Sequence, residues 1–180
     1  RTRMRLGHFD PPGPLQQIPF TDICSYYALE LARDGVAQSS ALLKNTDGTL
    51  PLKHVKTRSV AVIGPNANLS ETMAGYYGPG GGGHCGWQGQ ICGRACDDHY
   101  WNMVDAIAAV VPSTLASPNT NSYAAASLAN KADQTILVLG TDLKIASEGH
   151  DARSLALPPD QEKLVQVVTD VSAAPVVVVM

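Results

Sequence analysis

Glu148, His150 and Asp151 crowd into one short stretch, with Asp142 ahead of them and Arg153 just behind. A carboxylic acid held partly out of water has its pKa raised. That lets it give up a proton near neutral pH and take one back. Glu148 is the candidate for that role, because Gly149 beside it frees the backbone. Asp142, His150, Asp151 and Arg153 supply the polar partners a bound substrate needs. The competing interpretation of the same residues is a solvated polar loop.

The elements around this cluster are those of a buried parallel sheet. Thr135–Leu139 is a short apolar run stopped by Gly140, and Ser59–Gly64 is a second such run closed by Gly64-Pro65. Continuous apolar runs of this length suit strands covered on both faces. Pro175–Met180 starts a third. Apolar spacing predicts a helix from Tyr26 to about Leu43, capped by Thr21 or Asp22, and others over Trp101–Val111, Ser122–Lys131 and Asp160–Val171. Strands alternating with helices imply an α/β fold, a mostly parallel sheet with helices on both faces. In such sheets ligands bind past the carboxyl ends of the strands, and the Glu148 cluster follows one of those ends.

Apolar residues make up 44% of the 180 residues and charged ones 16%, the balance of a globular chain. A net charge of -3 gives no reason to expect nucleic acid or an anionic membrane surface as partner. The longest apolar run, Val176–Met180, is far short of the about 20 residues a membrane helix needs. The chain opens on Arg1 without an initiator Met and closes inside an apolar run, which reads as a fragment of a longer protein. Residues 1–22 are rich in Pro and Gly and read as a connector.

The four cysteines, Cys24, Cys85, Cys92 and Cys96, with His84 and His99, match no strong zinc spacing, so a disulfide or free thiol is favoured over a metal. Gly80–Gly83 lacks the strand, helix and Lys-Ser/Thr of a phosphate cradle and reads as a surface loop; no cofactor is implied. Tyr77, like Tyr76, follows a strand-end loop and could stack on a sugar ring. Asn68-Leu69-Ser70 is an N-glycosylation sequon, which with the cysteines tilts the expectation towards a secreted, extracellular or cell-wall protein.

Taken in order, Arg5-Leu-Gly-His-Phe-Asp-Pro11, Leu42-Leu-Lys-Asn45 with Leu50-Pro-Leu52, Val60-Ala-Val-Ile-Gly-Pro-Asn-Ala67, Ala74-Gly-Tyr-Tyr-Gly-Pro79 and the series Glu148, Asp151, Leu155-Ala-Leu-Pro158, Gln161 resemble glycoside hydrolase family 3. Asp22-Ile-Cys24 and Cys85 look most like its plant and fungal β-xylosidase branch. The resemblance implies an α/β sandwich domain over 23–180, truncated at its C-terminus, reached through a linker (1–22) from a (β/α)8 barrel. It implies that Glu148 is the acid/base of a retaining exo-glycosidase acting on terminal β-linked sugars, with β-xylosides foremost. The nucleophilic aspartate belongs to the barrel, so these 180 residues alone are expected to be inactive. The partners implied are an oligosaccharide or glycoside and that barrel. The earlier glutamate of the family's loop is Ala146 here, and three further features depart from the family: its Asp-Arg pair reads Asp151-Ala152 with Arg153 next, a helix histidine is Ala28, and the segment after Cys85 is unusual in its Gly and Cys content. The loss of the Asp-Arg pair and the cut termini motivate a second reading, a non-catalytic domain with a structural or carbohydrate-binding role.

Overall fold

The computed structural model describes residues 1–19, 22, 25–52, 58–69, 90, 91, 94, 95 and 101–180. Tyr77, Cys24, Cys85, Cys92 and Cys96, with Thr21, Tyr76, Gly80–Gly83, His84 and His99, lie outside them.

Four parallel strands form the core sheet in the order β4-β1-β5-β6: β1 (Ser59–Ile63), β4 (Ser113–Ser117), β5 (Gln134–Val138) and β6 (Val176–Val179). A separate antiparallel pair joins β2 (Gln90–Ile91) to β3 (Arg94–Ala95). The helices are α1 (Thr2–Arg5), α2 (Tyr26–Ser39), α3 (Met103–Ala108), α4 (Ser122–Ala129) and α5 (Pro159–Val171).

Alternate residues of each central strand face opposite sides, as the two-residue strand period requires. Ala61, Ile63, Leu137 and Leu139 pack with Ala125 and Ala129 of α4 and Leu164 and Val168 of α5. Val60, Val62, Ile136 and Val138 pack with Met103, Val104 and Ile107 of α3. The expected α/β architecture, with helices on both faces, is therefore what forms. The alanines of α4 let that helix lie close on the sheet, and the fully buried Leu164 is worth about 1.5–3 kcal/mol in transfer free energy.

Local chemistry moved several expected boundaries. Helix α2 is capped by Ser25, whose Oγ accepts from Ala28 N at 3.2 Å, rather than by Thr21 or Asp22. It stops at Ser39, short of Leu43, because the hydroxyls of Ser39 and Ser40 both donate to Val36 O and Ser40 turns extended. Its apolar positions Leu29, Ala32 and Val36 are exposed. Helix α3 is shorter than the expected Trp101–Val111; Asn102 caps it, accepting from Asp105 N at 3.0 Å in a reciprocal capping box. Strand β4 was not expected at all, because Ser113-Thr-Leu-Ala-Ser117 has no apolar run. As an edge strand it is buried only in part.

Residues 1–22 include two short turns, Thr2–Arg5 and Pro14–Gln17; the first is exposed throughout.

Candidate active site

The strand order creates a crevice. From β1 the chain leaves towards α3 on one face, and from β5 it leaves towards α5 on the other. Adjacent strands whose connections diverge in this way form a topological switch point, the usual ligand site of open α/β sheets. The segments at this crevice are the turn Gly64–Asn68 and the loop 140–158, which carries the ionisable cluster.

Both segments begin at a glycine whose backbone excludes other residues. Gly64 has φ +124, and a Cβ there would lie 2.2 Å from Val138 O of the neighbouring strand. Gly140 has φ +135. The start of the loop is held from two sides. Asn66 Nδ2 donates to Thr141 O at 3.3 Å, and Asn66 N donates to Val138 O. From α5, Gln161 Oε1 accepts from Gly140 N at 3.0 Å while its Nε2 donates to Gly140 O at 2.9 Å. Gln161 is only 3% exposed, so these are the partners that offset its burial.

Within the loop, Asp142 Oδ1 accepts from the backbone N–H groups of Lys144 and Ile145, fixing a turn. Ser147 and His150 then exchange backbone hydrogen bonds of 2.8 and 2.9 Å. Gly149, third of the four residues, has φ +74, and no other residue of the turn has positive φ. That is the pattern of a type II turn, which presents Glu148 at its corner. The side chains of Glu148, His150, Asp151 and Arg153 are exposed, and Asp142 is half-buried. Five of the six expected site residues thus share one loop at the switch point. The expected Tyr77 lies outside the described residues.

Asn66 and Gln161 were not anticipated as parts of this site. A glutamine in the first turn of a helix ordinarily faces water, and nothing in its neighbours marks this one as buried. Asn68, the sequon residue, is exposed just beyond Asn66.

Fold and site define a parallel α/β domain with a polar loop at its switch point. Residues 40–180 match the glycosyl hydrolase family 3 C-terminal domain, and the chain belongs to that family. It is 38% identical over 190 residues to beta-D-xylosidase 3 of Arabidopsis thaliana, covering 99% of this chain and 22% of that protein. It is 35% identical over 186 residues to beta-xylosidase/alpha-L-arabinofuranosidase 2 of Medicago sativa subsp. varia, covering 98% and 22%. Among solved structures, a GH3 exo-beta-xylosidase in complex with a xylobiose aziridine activity-based probe superposes with a TM-score of 0.74 at 26% identity, over 98% of this chain and 22% of that one. The chain thus spans 22% of the length of these relatives.

Proposed function

We propose that this chain is the acid/base-bearing part of a retaining exo-glycosidase that removes terminal β-linked sugars, with β-xylosides as the leading substrates. The observation that carries the reading is the placement of Glu148 at the corner of a tight turn, on the switch-point loop of a family 3 domain. The naming of its relatives as β-xylosidases supports the choice of sugar.

In this reading residues 1–22 connect to a (β/α)8 barrel and 23–180 form the sandwich domain. The barrel supplies the nucleophilic aspartate, and the two carboxyls stand about 5–5.5 Å apart across the glycosidic bond. The aspartate attacks the anomeric carbon while Glu148 protonates the departing oxygen. Glu148 then takes a proton from the water that releases the sugar. Its exposure fits a group that meets the rest of its site on another domain. His150, Asp151 and Arg153 line the same rim as substrate contacts, with Asp142 at its base; Tyr77 is a further residue assigned to substrate binding. The protein is secreted to the cell wall or medium and carries a glycan on Asn68, in keeping with the exposure of that residue.

The test is made in the full-length protein on an aryl β-xyloside. Glu148→Gln should lose most turnover, and azide should restore activity to Glu148→Ala by replacing the water that needs a base. Normal turnover of Glu148→Gln would sink the assignment and leave the domain a structural or carbohydrate-binding part of its assembly.

A further inference from the structure

We propose that Gln161 is a positioning residue for Glu148, locking the start of the acid-bearing loop to helix α5. The inference rests on the acid/base reading of Glu148. Beyond β5, Leu139 N still donates to Val179 O. Gly140 is the next residue, and both its N–H and its C=O are taken up by the one carboxamide of Gln161. A water could satisfy either group. A buried side chain from the first turn of α5 does something more, because α5 is the element into which the loop runs. The two ends of loop 140–158 are thereby tied to each other.

From that clamp a series of short rigid pieces reaches Glu148. Asp142 fixes the turn at Lys144–Ile145, and the reciprocal Ser147–His150 bonds fix the turn that presents the glutamate. Asn66 braces Thr141 from the β1 side. Through these pieces a displacement at Gly140 passes along the loop to the glutamate. A general acid works only within about 2.6–3.2 Å of the oxygen it protonates. A misplacement of about 1 Å costs up to about 10²-fold.

The experiment uses the full-length protein with Gln161→Met, which keeps length and bulk but makes neither bond, and Gln161→Glu, which keeps only the acceptor. kcat/KM is measured on xylobiose, whose leaving group needs a proton, and on 2,4-dinitrophenyl β-xyloside, whose leaving group does not. Gln161→Met should lower the xylobiose value about 10- to 100-fold and the dinitrophenyl value by less than about threefold. Gln161→Glu should fall between it and wild type, and azide should raise kcat of Gln161→Met on the dinitrophenyl substrate. Equal losses on both substrates, or an unchanged xylobiose value, overturn the inference. If Gln161→Met does not fold, the same split in Gln161→Glu decides. Glu148→Gln runs in parallel. If it shows the split and the Gln161 variants do not, only the positioning role fails. If Glu148→Gln shows none, or wild type cleaves neither compound, the acid/base reading fails with it.

Discussion

Gly64→Ala is the substitution whose effect can be worked most fully from the structure. Gly64 closes β1, donates its N–H to Ser117 O at 3.0 Å, and has φ +124. An added methyl would sit 2.2 Å from Val138 O, 3.0 Å from Val138 C and 3.2 Å from Val138 N. All three are backbone atoms of β5, so no rotamer change relieves the contact. The strand ends must part by roughly 1 Å where β1 and β5 are hydrogen-bonded; overpacking of this kind costs about 1–3 kcal/mol. Holding alanine at that φ costs another ~1–3 kcal/mol. A total of about 2–6 kcal/mol is a large share of the ~5–15 kcal/mol that holds a domain together. At about 2–4 °C per kcal/mol, the transition of this domain should fall by roughly 4–24 °C. Thermal unfolding followed by circular dichroism measures it, with Gly35→Ala as the paired control. Gly35 lies inside α2 with nothing within 4 Å of an added Cβ. Alanine there should stabilise by up to about 1 kcal/mol. A Gly64→Ala protein that melts within a degree of wild type would refute the close approach of the two strand ends, and with it the crevice geometry.

Three further outcomes are expected. Leu164→Ala removes a fully buried side chain between α5 and the sheet and should destabilise by about 2–5 kcal/mol, read as a lower urea midpoint at unchanged slope. Asp133 accepts hydrogen bonds from the Ser59 hydroxyl, the Ser59 N–H and the Arg58 N–H, chiefly the first, and these hold its carboxyl below the usual range. A depressed folded pKa stabilises above the unfolded value near pH 4, and the benefit disappears as pH falls through the folded one. The stability gap between wild type and Asp133→Asn should therefore hold steady from about pH 5 upward and shrink in stronger acid, as acid titrations of the two proteins would show. Finally, protein purified from a secreting eukaryotic host should lose mass on amidase deglycosylation, with the Asn68 peptide converted to Asp; an unmodified Asn68 peptide would refute a glycan at that residue.

Much of the fold could be read directly because its central strands are simple. Val60–Ile63 and Ile136–Leu139 are apolar on both sides of the pleat, and only a sheet covered on both faces has use for such runs. Edge strand β4 is the counterexample. Half its surface is left to water, so Ser, Thr and Ala serve as well as Val, and no apolar signal survives in the sequence. The end of α2 was misplaced because Leu42 and Leu43 continue the apolar spacing, whereas two serine hydroxyls compete for Val36 O and turn the chain out.

The candidate site divides in the same way. Glu148, His150, Asp151 and Arg153 are neighbours in sequence, and their clustering after an apolar strand needs no structure to be seen. Family membership, too, lies in the order of motifs along the chain, and residues 40–180 carry it. What the sequence could not supply is the pairing of distant parts. Only the strand order β4-β1-β5-β6 puts the end of β1 beside the end of β5. Only the packing of α5 turns Gln161 inward onto Gly140, 21 positions before it. Local propensity reports what each segment prefers by itself. Which segments meet depends on burying both faces of the sheet at once, and that is a property of the whole domain.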